Sequence, residues 1–340
     1  QAKTFIGNKS GTSTTTGYDN TGMGYGALQK TSSGFNNSAI GVSSLFNNTI
    51  GTRNTSMGES SLYSNVAGSN ATAFGWGAMQ NSNDQAGAFT NYNVAIGYEA
   101  LRGSVTPATN TGNQNTAIGY QAGRAVTSGG NNIFLGHQAG DALTSGSNNI
   151  VIGYDIDAPV GTSSNQLSLG NLLFGTGLTS TGTTISSGKI GIGTNAPNTT
   201  FDVSGSVAHR EGTALALANG NNDNVAPGTT SFVRLTGPTA TYTITGFSGG
   251  ADGRMLTLYN TTSYPIVIAN DAVSTAANRI YTLTGANFQT GNGPGVITLQ
   301  YNANVSRWLV VSRQDISSSS SAGTGPSLLY PDGTNYSATK

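Results

Sequence analysis

The sequence predicts an all-β chain: a parallel β-solenoid built of 17-residue coils, followed by an antiparallel β-sandwich module. Three observations carry this prediction. A glycine preceded by an apolar residue recurs at Gly7, Gly24, Gly41, Gly58, Gly75, Gly97, Gly119, Gly136, Gly153 and Gly170, at spacings of 17 residues interrupted by two consecutive steps of 22. Only 8% of the 340 residues are charged and 49 are glycine; an average globular protein has roughly 25% charged residues and about half as much glycine. From residue 224 onward the texture changes to longer β-rich runs separated by Gly, Asn and Pro clusters, which is the signature of a sandwich or barrel.

Within each coil the residue before the glycine is apolar: Ile6, Met23, Ile40, Met57, Phe74, Ile96, Ile118, Leu135, Ile152 and Leu169. This column reads as a core ladder. Two residues earlier stand Thr4, Thr21, Thr116, Ile133 and their equivalents, on the same face because strand side chains alternate with period 2. The position between them is mostly small (Gly22, Ala39, Ser56, Ala73, Ala95, Ala117, Ser168), with Phe5, Phe134 and Val151 as exceptions. The face opposite the ladder is therefore expected to lie against something close. Asn stands four residues before the glycine in seven of the ten coils; it tolerates left-handed turn geometry, and stacked Asn side chains form hydrogen-bonded ladders. A 17-residue unit is too short for a helix pair and contains two short strand-like pieces. Such coils are stable only as a stack, in which each buries its apolar row on its neighbours.

The N-x-A-I-G-x-x-(A/S) pattern at Asn20, Asn37, Asn54, Asn93 and Asn115 resembles the head repeats of trimeric autotransporter adhesins and the related repeats of phage tail fibres. The resemblance covers residues 1–170, about half the chain. It implies a left-handed parallel β-roll and a homotrimer in which three chains pack around one axis, and the small positions are consistent with close packing between chains.

Residues 171–223 read as a connector. Gly, Thr and Ser dominate its first part, and the phrase KIGIGTNAPNTTFDVSGSV from Lys189 resembles the junction between shaft and module in many phage tail fibres. Physically, Pro197 and its neighbours make a turn between two short strands, and a plain linker hairpin is the alternative. Residues 224–315 carry the runs SFVRL, YTITGF, RMLTLYN, PIVIAN, RIYTLTG, GVITLQY and RWLVVSR, expected to form the sandwich, with Trp308 in its core. Residues 316–340 are Ser-rich and expected to be flexible, with LLYP at residues 328–331 available to pin them to a neighbouring chain. The first residue is Gln rather than Met, as in a processed chain or a piece of a longer one.

The chemistry-bearing residues are few. Lys and Arg are scattered singly and balance Asp and Glu, so no basic stripe points to nucleic acid or a membrane surface. The absence of Cys excludes disulfides and thiolate chemistry, and no apolar run reaches the roughly 20 residues that span a bilayer. His137 follows a repeat glycine, in a column otherwise holding Tyr25, Trp76, Tyr98, Tyr120 and Tyr154, and His209 has no periodic partner. Neither has a second His at ligand spacing. Asp155 and Asp157, two residues apart on one strand face, are the weak candidates for a metal or acid pair, and no metal or cofactor is expected.

The functional irregularity is the pair of five-residue insertions, which fall in consecutive coils at residues 80–92 and 102–114. Longer loops in adjacent coils should stack on one side, where repeat proteins build binding sites. The candidate recognition residues are Asn83, Asp84, Phe89, Tyr92, Arg102, Thr106, Asn110 and Asn113. The structural residues are Gly24, Gly41, Gly58, Gly75, Gly97, Gly119, Gly136 and Gly153 together with Ile40, Ile96, Ile118 and Ile152. The leading expectation is a non-enzymatic, extracellular attachment fibre, most like a phage tail fibre segment. It would contact a cell-surface polysaccharide or protein receptor and a neighbouring fibre or baseplate protein. A bacterial surface adhesin or self-assembling extracellular fibre subunit is the alternative. A tailspike glycosidase would need an acid pair in a groove.

Overall fold

The computed structural model describes residues 2–179 and 183–315. The Ser-rich segment at 316–340, with its LLYP phrase, lies outside the described residues. The chain divides into two compact units, Gln1–Ser206 and Val207–Lys340.

In the first unit each coil contributes one short strand: Lys3–Ile6, Asn20–Met23, Ser38–Ile40, Thr55–Met57, Thr72–Phe74, Val94–Ile96, Thr116–Ile118, Ile133–Leu135, Ile150–Ile152 and Leu167–Leu169. These pair in parallel, coil to coil, in the register the repeat dictates, so that Ala95 lies beside Ala117, Ala117 beside Phe134, and Phe134 beside Val151. The expected second strand-like piece forms where Gly68–Ser69 pairs in parallel with Phe89–Thr90; in the other coils it is a run of turns, which satisfies its backbone on the next coil. Leu28 N–H donates to Ser44 C=O at 3.1 Å and Leu45 N–H to Ser61 C=O at 3.0 Å.

Two features keep the coils in register. The repeat glycines hold φ between +123° and +149° from Gly7 to Gly153, a region closed to side chains. A Cβ on Gly119 would lie 2.1 Å from Gly136 O. At the corner, the Asn column forms the expected ladder. Asn132 Nδ2 donates to Asn115 Oδ1 and to Gly146 O, both at 2.9 Å, and Asn149 N–H donates to Asn132 Oδ1 at 2.9 Å. The ladder breaks where Ala71 replaces Asn; there Ala71 N–H still bonds Asn54 Oδ1, and Asn93 restarts the column.

The core lies on the opposite face from the one the pattern suggested. The small position is inside: Ala39, Ala73, Ala95, Ala117, Phe134 and Val151 are fully buried. Ile40, Ile96 and Ile118 of the supposed core ladder point out and are 36–39% exposed, with Ile152 partly exposed. Thr116 and its column share that outer face. The physical reason is the narrow cross-section of a 17-residue coil. Each layer admits about one large side chain, and in most coils that place is taken by Leu28, Leu45, Leu62, Met79 or Leu101, reaching in from the turn side. Where Phe5 or Phe134 occupies the strand position, the turn position becomes Gly11 or Gly140, whose Cβ would fall within 2.5 Å of the ring.

The connector is not a separate element. After Leu167–Leu169 the same sheet continues through Leu173–Thr176 and Lys189–Ile192, both antiparallel to their predecessors, to Phe201–Val203. The strands flanking Pro197 pair in parallel, Ile190 beside Phe201, so the junction is a further coil-like crossing and not a hairpin.

In the second unit all seven expected runs contain a strand, joined by Leu215–Ala216, Gly220–Asn222 and Phe288–Gln289. The arrangement is mixed, which corrects the antiparallel sandwich. Leu215–Ala216, Phe232–Thr236 and Met255–Asn260 pair in parallel in one sheet, and Gly220–Asn222, Tyr242–Ile244 and Ile266–Ile268 pair in parallel in the other. The chain therefore alternates between the two sheets; the antiparallel strand pairs involve Phe288–Gln289 and the long strands Gly295–Asn302 and Arg307–Asp315, and Ile280–Tyr281 pairs in parallel with the last of these. Trp308 is fully buried and donates Nε1–H to Phe247 O at 2.7 Å.

Candidate functional site

The two insertions leave the coils at the same point. Asn81 N–H bonds Arg102 O, and Gly103 N–H bonds Arg124 O, so the regular ladder runs up to residues 81 and 103 and the extra residues follow. On the return, Asn91 O accepts from Gln114 N–H, and Gly112 N–H donates to Thr127 O. The extra residues of consecutive coils thus leave and rejoin at equivalent positions, as the spacing predicts.

The predicted residues take two different roles. Asn110 is the anchor of the second loop: it is buried, Nδ2 donates to Asn81 O and to Ser104 O, and Oδ1 accepts from Ser104 N–H at 2.9 Å. Asn83 is also buried, its Oδ1 accepting from Gln85 N–H at 2.9 Å. Phe89 is half-buried over Gly68, where a Cβ would meet its ring at 2.6 Å. These three hold the loops. Asp84, Tyr92, Thr106 and Asn113 are exposed and available to a partner.

Arg102 belongs to an ionic cluster around the buried Glu99 that sequence reasoning did not find. Glu99, with its side chain 7% exposed, meets Arg102 Nη1 at 2.8 Å and Arg124 Nε at 2.9 Å, and Gln121 Nε2 donates to it at 2.8 Å. Arg102 Nε reaches back to Gln80 Oε1 at 3.3 Å. The signal was present in the columns: Glu99 is an acid where other coils carry Gln121 and Gln138, and Arg102 and Arg124 stand in one column, one coil apart. Beside this cluster lies an open groove of about 350 Å³, lined by Arg102, Gly103, Ser104, Val105, Arg124, Ala125, Thr127 and Thr144. A small cavity of about 20 Å³ lies beneath the loops, and Ser82, whose buried Oγ has no partner, is among its lining residues.

A second surface runs along the strands. The outward residues Ile6, Met23, Ile40, Met57, Ile96, Ile118, Leu135 and Leu169 are 36–56% exposed. On the far side of the repeat glycine, Trp76, Tyr98, Tyr120, His137 and Tyr154 stack face to face, with ring centroids 4.8–5.2 Å apart. That spacing is the coil repeat itself, so the stack follows from the register. His137 is thereby a member of the aromatic column, and its Nδ1 is buried without a hydrogen bond.

Asp155 and Asp157 do not share a strand face, because the strand ends at Ile152 and Asp155 turns with φ +51°. Asp157 Oδ1 accepts Ala142 N–H at 3.0 Å. Burial raises the Asp157 pKa, with Asp141 and Asp155 adding to the rise and the Ala142 bond opposing it. Among the described residues no three His, Cys, Asp or Glu side chains stand where they would hold a metal ion, and no helix is long and apolar enough to cross a membrane. Comparison of the chain with protein-family models, with curated proteins and with solved structures finds no match.

Proposed function

We propose that the chain is a non-enzymatic, extracellular attachment protein that works as a homotrimeric fibre, of the kind its repeats resemble in phage tails. The observation that carries this reading is the outward Ile, Met and Leu column with its adjoining aromatic stack. A contiguous apolar stripe running through ten coils is larger than monomers usually leave in water, and copies of the same stripe are its natural cover. Around a threefold axis the left-handed roll implied by the resemblance to adhesin-head repeats would bury three such stripes against one another. The insertions fall at a different part of the coil from the stripe residues, so trimerisation leaves them to meet a cell-surface polysaccharide or protein receptor. Three equivalent loop patches would then bind with avidity. A neighbouring fibre or baseplate protein is the expected partner at the base.

Light scattering and imaging of the purified full chain test this reading. A threefold particle mass and threefold projections are expected, with surface binding lost when both insertions are shortened to the 17-residue repeat. A monomer in solution, or release of oligosaccharides by the purified protein, would overturn it.

A further inference from the structure

We infer that the step between the long Gly97 coil and the short Gly119 coil is a binding site for a carboxylate-bearing saccharide. This rests on the reading of the insertions as a recognition patch and names its ligand class. The 22-residue coil overhangs its 17-residue neighbour, and the resulting groove of about 350 Å³ is at the lower end of the range for small-ligand sites, about 300–1,000 Å³.

The lining selects the ligand. Glu99 takes Arg124 by Nε alone. Among the described residues neither Nη of Arg124 has a protein partner, which leaves the end of the guanidinium free for two parallel bonds to a carboxylate. Arg102, held by Glu99 and Gln80, fixes the other guanidinium at the groove. Two arginines against one buried carboxylate give the cluster one net positive charge. Asp141, one coil further on, is engaged by Gln138 and does not line the groove. Val105 and Ala125 offer aliphatic surface for the C–H face of a pyranose, and the Ser104, Thr127 and Thr144 hydroxyls stand beside it. The backbone of the step is already paired coil to coil, Gly103 N–H to Arg124 O and Thr127 N–H to Thr144 O. No sheet edge is open there for an acidic peptide to extend, which favours a sugar. The loop is set in advance by Asn110, so little ordering is needed on binding.

The test is titration of the full chain with a tetrasaccharide alternating glucuronate and N-acetylhexosamine, and with the same sugar carboxyl-reduced to the neutral alcohol. The acidic sugar should bind, and the reduced one about tenfold more weakly or less. Two variants probe the site from different sides. R124Q removes the free fork. V105E places a carboxylate in the groove at a side chain that is 82% exposed and outside the ion cluster, so it leaves the fold unchanged. Each should weaken the acidic sugar by about tenfold or more. Equal binding of the two sugars, binding of neither, or an unchanged affinity in V105E would overturn the inference. Surface attachment of a chain lacking residues 105–109, measured in parallel, separates the two ideas. Loss of attachment without acid-selective sugar binding sinks the carboxylate site and leaves the patch standing; acid-selective binding with unchanged attachment does the reverse.

Discussion

Replacing Ile118 by Glu should dissociate the proposed trimer without unfolding the coil. Ile118 is 38% exposed in the single chain, and full burial of an Ile side chain is worth about 1.5–3 kcal/mol. Covering the remaining surface therefore contributes about 0.6–1.1 kcal/mol per chain. The eight members of its column that are at least 36% exposed together contribute about 5–10 kcal/mol per chain on the same scale. The substitution removes the Ile118 share and adds a carboxylate whose burial costs several kcal/mol. A threefold axis brings three of them together, so the total penalty is on the order of 10 kcal/mol, comparable with one chain's whole contribution from the column. The coil itself should survive, because its interior at this layer is Ala117, fully buried, and not Ile118. Light scattering coupled to size exclusion reads the mass, and circular dichroism reads the strand content. S128E, which puts the same charge on an exposed position of the same coil, should remain trimeric. An I118E chain of unchanged mass would refute the assignment of the stripe as the interface, and an unfolded one would refute the inverted core.

Three further outcomes are expected. G119A should unfold the stack locally and cost more than about 4 kcal/mol, because its Cβ meets Gly136 O at 2.1 Å and φ is +141°; the midpoint of urea unfolding reads this. N132A should cost about 2–6 kcal/mol in the same experiment, since it strands Gly146 O and the Asn149 N–H in the interior, while Asn115 Oδ1 keeps the backbone N–H of residue 132. D157N should raise the melting temperature at pH 7 and lose that advantage below the usual carboxylate value of 3.8. Burial raises this carboxyl's pKa, so between 3.8 and its folded value the native state holds more protons than the unfolded one and stability falls as pH rises. An unchanged melting temperature at pH 7 would mean that the Asp157 carboxylate carries no penalty.

Much of the first unit is readable from spacing. The strand register, Ala117 beside Phe134, follows from a period of 17, and the two steps of 22 locate loops that the structure places at one point of consecutive coils. The glycine column reads directly as a place where coils approach too closely for a Cβ. The site itself was only partly visible. Thr106 and Asn113 were legible as loop residues, whereas Glu99 and Arg124, 25 residues apart, become neighbours only because one coil lies on the next. Asn83 and Asn110 illustrate the converse limit, since sequence gives a loop Asn no sign of whether it faces a partner or staples the loop.

The sequence alone determined the period, the corner asparagines and the alternation that places Ile118 and Ala117 on opposite faces of a strand. It did not determine which face is inside. Hydrophobicity favours Ile118, but the coil encloses room for about one large side chain per layer, and the turn supplies it. Leu28, Leu45, Leu62, Met79 and Leu101 adopt φ of +47° to +52° to reach that space, a backbone conformation that costs roughly 1–2 kcal/mol for a side chain and is offset by complete or nearly complete burial. The second unit shows the same division: its strands are legible in the sequence, but whether neighbours run parallel depends on which strands the chain brings side by side. Volume and closure, which are properties of the assembled coil, turned the apolar column outward.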